Sequence, residues 1–390
     1  MHIKFIRILA IAGAALALIA GLAIGGGIWT AAPAGLPDAG QTASWLKQIT
    51  FLINTVLGIR VLGILMWLTF LAESDGDNMS AQSLTSLRSL NKHAGLWSIA
   101  NIFAALFTLQ YVLGLTFAEL FSSSVIGTYI FDLAPSRSFV IAAIFALAVA
   151  FGSAIIKSLN SGLLLFGFAL AAIITPLLNS HSASLGDHSL AITSSVAHGV
   201  AMSIWVGSLW AIFGDVTAGN EKIISRFSRL ATVAVTVLIL SGIAASYARL
   251  DSFSDLWTSG YGRLVLIKAV LFIGIAYVAN TLRKNYSSGI KIARLVSTEV
   301  LIMALAIGFG VALHGTPLSR ASLDLSSAAE EILGFAFPTA PTIVHYIFGW
   351  HPEWRGHGAT GDRLQRRLRE RHQHRAGDPR HRPCRLRRRQ

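Results

Sequence analysis

Residues 161–179 read SGLLLFGFALAAIITPLLN, an apolar run without a single charged side chain. A helix of about 20 apolar residues spans the hydrocarbon core of a bilayer, whereas a strand of a membrane barrel needs only about ten. Eight longer apolar runs occur elsewhere in the chain, at 8–30, 46–72, 94–118, 138–157, 189–214, 228–249, 262–283 and 292–313. The sequence therefore predicts an all-α fold, a polytopic integral membrane bundle of about nine transmembrane helices.

The composition agrees with a membrane protein. The chain has 390 residues, a mean hydropathy of +0.60, 53% apolar residues and 13% charged residues, against about 25% charged residues in soluble domains. It contains no glycine-rich phosphate loop, no Gly-x-Ser-x-Gly elbow and no His-Glu-x-x-His motif. We therefore expect that the chain is not an enzyme, and that it is not an ATP-driven pump on its own.

The net charge of +13 is concentrated at one end of the chain. Residues 355–390 hold 13 Arg, no Lys and three acidic residues, and they also contain the only cysteine, Cys384. The membrane pattern stops after Trp354, so we expect that a frameshift produced this tail and removed a second module. The alternatives are an authentic tail that binds anionic lipid or nucleic acid; for the chain as a whole we expect no nucleic-acid partner.

The basic residues of the loops predict the orientation. If there are nine spans, five groups of Lys and Arg fall on one side of the membrane, and that side is cytoplasmic. These residues are Lys4, Arg7, Arg88, Lys92, Lys157, Lys222, Arg226, Arg229, Arg283, Lys284, Lys291 and Arg294. We expect a multi-pass protein of the cell (cytoplasmic) membrane with a cytoplasmic N-terminus, and outer loops at 31–45, 119–137, 180–188, 250–261 and 314–340. The first run exceeds the roughly 7–15 apolar residues of a cleaved signal, so we expect a retained anchor.

One histidine lies at mid-membrane depth. His198 is about 14 Å below the start of the sixth run at 1.5 Å per residue, and a polar side chain is costly there. Met202 and Trp205 follow at spacings that share its helix face, and Met303 in the ninth run lies at a similar depth. Imidazole with thioether is a soft ligand set that suits Cu(I), and imidazole alone also suits Cu(II) or Zn(II). The alternatives are an interhelical hydrogen bond for the histidine and simple core packing for the methionines.

Three more histidines lie at the predicted outer face. His181 and His188 occupy the loop before the sixth run, together with Asp187, and His314 lies at the outer mouth of the ninth run. We expect these histidines to capture a metal ion, against the alternative that they are ordinary polar surface residues. The predicted metal ligands are His181, His188, His198, Met202, Met303 and His314.

Charged residues also occur within the runs. Arg60, Lys268 and Glu299 lie inside the second, eighth and ninth runs, and charges in a membrane face the bundle and form pairs. Arg60 with Glu299 is the first pair that we expect. Structural linkage of the helices and ion translocation remain equal alternatives for these charges.

Several short motifs, taken together, resemble one family. HGVAMSIWVG at 198–207 is followed by RFSRL at 226–230, YGRLVLIK at 261–268, NTLR at 280–283 and RLVSTE at 294–299. Their order and spacing resemble the copper-resistance D (CopD) family of membrane proteins. The chain also resembles the N-terminal half of an actinobacterial fusion in which a CopD-like half precedes a CtaG-like half, linked to cytochrome c oxidase assembly.

The resemblance implies a domain organisation. We expect an N-terminal five-helix membrane region at 1–179 and a CopD-like four-helix membrane domain at 180–316. An outer linker and the start of a lost second module would occupy 317–354, followed by the basic tail at 355–390.

The resemblance also implies a function in copper handling. We expect copper, as Cu(I) or Cu(II), to be bound from the outer face through His and Met and passed inward across the cytoplasmic membrane. The candidate partners are the lipid bilayer and an extracytoplasmic copper-binding protein or a respiratory oxidase. The alternative functions are a copper-handling assembly factor for a respiratory cytochrome oxidase and a membrane haem protein, and haem normally needs paired histidines on facing helices.

Overall fold

The computed structural model describes residues 3–31, 37–72, 74–75, 78–79, 81–121, 123–156, 158–179, 188–217, 220–250, 252–284 and 289–317. All of them belong to one unit, Met1–Leu323, and Asp324–Gln390 forms a second unit. The predicted capture residue His181, the linker beyond residue 317 and the arginine-rich tail with Cys384 lie outside the described residues.

Twelve α-helices follow one another in the described chain. They are α1 (Ile3–Gly25), α2 (Gly40–Met66), α3 (Ala81–Leu113), α4 (Phe117–Leu120), α5 (Ser123–Tyr129), α6 (Ala134–Ser153), α7 (Leu159–Leu178), α8 (His188–Thr217), α9 (Glu221–Tyr247), α10 (Asp255–Thr258), α11 (Gly260–Lys284) and α12 (Gly289–Gly315). A π-helical turn (Trp67–Leu71) extends α2, and two strands of two residues each, β1 (Ser74–Asp75) and β2 (Asn78–Met79), pair in antiparallel register.

Nine helices of the described chain are long and apolar enough to cross a membrane: α1, α2 with its π-turn, α3, α6, α7, α8, α9, α11 and α12. This confirms the predicted all-α membrane bundle of nine spans. Hydropathy predicts the spans well because a bilayer offers no water to the backbone, so each crossing segment must satisfy its own hydrogen bonds as a long apolar helix.

The third span differs from its prediction at the N-terminal end. α3 begins at Ala81 and has 33 residues, about 50 Å at 1.5 Å per residue, whereas the apolar run begins at residue 94. Hydropathy detects only the part of a helix that lies in hydrocarbon, so the polar first turns of α3 were missed. The helix ends before Gly114, which has φ +65°, and Leu115 N–H then bonds back to the Gln110 carbonyl at 3.0 Å, a typical glycine C-terminal motif.

The three short helices occupy loops that the sequence places outside the membrane. α4 and α10 each carry a pair of exposed aromatic residues in ring contact, Phe117 with Phe121 at 5.2 Å and Phe253 with Trp257 at 5.1 Å. Exposed aromatic side chains next to membrane spans are typical of the interface between hydrocarbon and headgroups.

The order of the helices in space differs from their order in the chain. α1 packs against α12, and α2 packs against both α3 and α8, while α6 packs between α3 and α7. α8 also packs against α9, and α11 packs against α12. Three of the membrane-length helices before residue 180, α1, α2 and α7, are therefore in direct contact with helices after it. The division into a five-helix and a four-helix region remains a prediction.

Small residues allow the closest approaches between helices. A Cβ atom on Gly63 of α2 would meet the main chain of Gly207 of α8, so the two backbones are in contact there. Gly21 of α1 lies against Ala312 of α12 in the same way. Small residues at helix crossings are a common device of membrane bundles, where lipid gives no hydrophobic drive for helix association.

Candidate functional site

His198 lies ten residues after the start of α8 and faces α9. Its Nδ1 is 3.2 Å from the Oγ of Ser241, a buried residue of α9. The next residue, Gly242, leaves space beside the ring, because a Cβ atom there would lie 3.7 Å from His198 Cε1. The predicted mid-membrane histidine is therefore held against α9 by an interhelical contact.

Arg249, just after the end of α9, connects three helices. Its Nη2 donates to Ser195 Oγ of α8 at 2.7 Å, and its Nη1 donates to the Ala245 carbonyl at 3.3 Å. The guanidinium also makes a side-chain hydrogen bond with Tyr261, a buried residue near the start of α11. Ser195 precedes His198 by about one helical turn, so these bonds lie next to the histidine on the same helix.

Lys268 completes the group from α11. It follows Tyr261 by seven residues and so shares that residue's helix face. Its charge acts electrostatically on His198, and it also interacts with Arg249. Its Nζ lies beside α12, 3.6 Å from where a Cβ atom on Gly310 would be.

We call these six residues the His198 cluster: Ser195, His198, Ser241, Arg249, Tyr261 and Lys268. They come from α8, α9 and α11, and they contain a guanidinium, an ammonium and an imidazole but no carboxylate. The cluster is therefore electropositive. In the described part of the chain, no group of three or more His, Cys, Asp or Glu residues could hold a metal ion.

The two other predicted residues on the His198 face of α8 pack in the apolar core. Met202 is partly buried against the main hydrophobic cluster. Trp205 is buried, and its ring makes an edge-to-face contact with Phe272 of α11 at 6.3 Å between centroids. The shared face of His198, Met202 and Trp205 thus contacts both α9 and α11.

Met303 lies in a different environment. It is buried, and it lines a cavity of about 50 Å³ with Val206 and Trp210 of α8 and Ile6 and Ala10 of α1. The walls of this cavity are almost entirely apolar. The contacts described for His198 are instead with α9 and α11, so a copper station shared by His198 and Met303 remains a prediction.

His314 lies near the end of α12, as expected. Its ring stacks on Phe51 of α2 with 4.6 Å between centroids and 13° between the planes. It also lines a small cavity of about 30 Å³ with Lys47, Thr108 and Asn179. His188 is the first residue of α8, whereas His181 lies outside the described residues. Whether these histidines capture an ion together remains a prediction.

The remaining predicted charges lie deep in the bundle. The guanidinium carbon of Arg60 is 5.5 Å from the centre of the Trp210 ring, within the range of a cation–π contact. Glu299 of α12 is 4% exposed. Their pairing remains a prediction.

Sequence reasoning missed three residues that have definite roles in the structure. Ser241 reads as a small packing residue, and Arg249 reads as the end of a span, so neither indicated a contact with α8. Arg226 was recognised as a cytoplasmic basic residue and as part of a motif, but neither indicated that its Nη1 donates to the carbonyls of Leu71 (3.1 Å) and Ala72 (3.0 Å) at the end of the π-turn. One feature of the sequence could have indicated a polar contact here: the seven-residue spacing of Tyr261 and Lys268 places two polar residues on one face of an apolar helix.

The nine membrane-length helices and the His198 cluster define a multi-pass α-helical membrane protein with a polar site between its helices. Residues 221–313 match the family described as Copper resistance protein D. This segment, α9 to α12, carries the family's sequence features and confirms the predicted CopD resemblance. Four members of the His198 cluster lie inside the matched segment, while Ser195 and His198 precede it.

A curated relative supports the same family. The protein described as copper transport protein CutJ of Bacillus subtilis (strain 168) is 30% identical over 117 residues, which is 28% of this chain. The aligned segment spans 21% of the length of that relative. No solved structure matches this chain.

Proposed function

We propose that this protein handles copper at the cytoplasmic membrane, binding the ion at the outer face and passing it inward. The N-terminus would be cytoplasmic, as the basic loops indicate. The observation that carries the proposal is the convergence on His198 of residues from the CopD-matched segment: Ser241 and Arg249 from the α9 end, and Lys268 from α11. The copper link itself rests on the family match and on the CutJ relative.

The route would have two stages. His181, His188 and His314 would capture the ion at the outer face, and His198 with Met202 or Met303 would form the intramembrane station. Neutral imidazole and thioether bind soft metals without adding negative charge to the membrane interior. The copper ion is the cargo of this route.

The charge of the His198 cluster favours Cu(I) over Cu(II) at this station. Like charges repel in proportion to the product of their charges, so a divalent ion meets twice the repulsion from Lys268 and Arg249 that a monovalent ion meets. Soft thioether ligands favour the same oxidation state.

Direct copper binding tests this proposal. Purified protein in lipid nanodiscs is titrated with Cu(I) in competition with a chromogenic Cu(I) chelator. Wild type is expected to bind copper, and His198→Ala is expected to lose most of the affinity of the intramembrane station. His93→Ala is the matched control, because His93 bonds the Ser89 carbonyl of its own helix α3 at 2.7 Å and lies outside the cluster.

Two results would contradict the proposal. One is wild-type protein that binds no Cu(I), and the other is equal Cu(I) affinity in wild type and His198→Ala. Stable co-purification with respiratory oxidase subunits, combined with unchanged cell copper, would instead favour the assembly-factor function.

A further inference from the structure

We propose that Ser241 is a positioning residue that fixes the tautomer of His198, so that the proton is on Nδ1 and the lone pair on Nε2. Nε2 is then the nitrogen that binds copper. The copper part of this inference rests on the function proposed above, whereas the tautomer is a property of the protein alone.

The protons in this contact can be assigned one by one. Ser241 Oγ lies 3.3 Å from the Leu238 carbonyl of its own helix and 3.2 Å from His198 Nδ1. A carbonyl oxygen only accepts hydrogen bonds, so the contact with Leu238 is a hydrogen bond when the hydroxyl proton points to that carbonyl. In this arrangement the hydroxyl oxygen accepts from His198, and Nδ1 carries the proton.

The bond to the Leu238 carbonyl orients the Ser241 hydroxyl, and a hydroxyl in that orientation favours the Nδ1–H form of His198. The opposite tautomer would require the hydroxyl to turn toward the ring and give up its bond to Leu238.

This tautomer would preorganise His198 as a metal ligand. A neutral imidazole binds a metal through its unprotonated nitrogen, and a hydrogen bond from the other nitrogen fixes the orientation of the ring and raises its basicity. Because Nδ1 is held against α9, Nε2 is left available on the other side of Cε1. Gly242 contributes by leaving the space next to Cε1 open.

The tautomer can be read directly by nitrogen NMR. Full-length protein labelled with 15N in the histidine rings is studied in nanodiscs, and the His198 signals are assigned by their loss in His198→Asn. Wild type is expected to show a protonated Nδ1 and an unprotonated Nε2. In Ser241→Ala, a mixture of the two tautomers is expected, because the hydroxyl oxygen that accepts from Nδ1–H is removed.

Two further variants separate positioning from simple packing. Ser241→Thr keeps a hydroxyl at the same position and is expected to keep the wild-type tautomer. Ser246→Ala removes a hydroxyl from the same helix that bonds only the Gly242 carbonyl at 2.8 Å, and it should leave the His198 signals unchanged.

Copper affinity provides the second readout. Loss of a residue that orients a metal-binding histidine typically costs 10–100-fold in metal affinity, so we expect Ser241→Ala to bind Cu(I) at least about tenfold more weakly. A proton on Nε2 in wild type, or an unchanged tautomer in Ser241→Ala, would overturn the role assigned to Ser241. If the tautomers are as expected but the protein binds no Cu(I), the proposed copper function is contradicted and the positioning role of Ser241 stands.

Discussion

Lys268 is the residue whose position is hardest to explain without a function. An ammonium group within a membrane helix is costly and normally lies against a partner of opposite charge. Here its described electrostatic neighbours are Arg249 and His198, which are a second cation and a potential metal ligand. A lysine in this position raises the local potential, and in the proposed function it would weaken the binding of a cation by the cluster.

Replacing Lys268 by leucine should strengthen copper binding. Two unit charges 4 Å apart repel by about 4 kcal/mol in a medium of effective dielectric constant near 20, and less at larger separation. We therefore expect the Cu(I) affinity of Lys268→Leu to rise by about tenfold in the chelator competition assay. Lys92→Leu, on the exposed surface of α3, is the control. An affinity equal to or below that of wild type would show that Lys268 does not oppose the bound ion.

Glu119 provides a pH-dependent test outside the membrane spans. The Thr116 backbone N–H and hydroxyl both donate to its carboxylate at 2.8 Å, and the pKa of Glu119 is lowered mainly by the backbone bond. A carboxyl with a lowered folded-state pKa stabilises its helix cap above the unfolded pKa, and this contribution is lost as pH falls through the folded pKa. In a carboxyl NMR titration Glu119 should therefore titrate below the ordinary glutamate range, and Thr116→Ala should move it back toward that range. A wild-type Glu119 that titrates at or above the ordinary value would contradict the cap.

Among the helices, α2 and α8 each contact four others. α2 packs against α3, α7 and α8 and contacts α12 as well. Two features fix the position of α2: the contact of Gly63 with α8 near its C-terminal end, and the bonds from Arg226 of α9 just beyond that end. The position of α8, and with it that of His198, depends on α2.

The contact between Gly63 and Gly207 predicts that alanine at position 63 destabilises the protein, whereas alanine at the open position Gly95 does not. Gly63→Ala would place a methyl group in the main chain of α8, and we expect destabilisation by about 3 kcal/mol or failure to fold. Gly95→Ala in α3 meets nothing within 4 Å and should be neutral or stabilise by up to about 1 kcal/mol through helix propensity. Thermal unfolding in the same detergent compares the two variants. Equal stability would show that the backbones of α2 and α8 are not in contact at Gly63.

Arg226 should stabilise the junction between α2 and α9. Its guanidinium bonds the last carbonyls of the π-turn, which have no partner within the helix and lie at its negative end. We expect Arg226→Ala to lower the unfolding free energy by about 1 kcal/mol and to speed amide exchange near residues 67–72. Arg229→Ala, on the exposed surface of the same helix, is the matched control. If the two variants exchanged at the same rate in this segment, the capping role would be wrong.

At the scale of the whole molecule, the sequence predicted what depends on local composition. The nine spans and the place of His198 along its helix follow from the apolar runs, and the family resemblance follows from short motifs. The partners of His198 could not be predicted, because the contact with Ser241 depends on how α8 and α9 are rotated against each other. Whether Met303 contacts the copper station is likewise decided by helix packing, since equal depth in a membrane does not mean contact.

In the proposed function, copper crosses the membrane through a station at His198. Total cell copper, measured by elemental analysis, tests this in cells that express wild type, His198→Ala or His93→Ala at equal membrane abundance. We expect wild type and His93→Ala to raise cell copper equally and His198→Ala to leave it unchanged. Equal copper in cells with wild type and with His198→Ala would show that copper does not pass through His198.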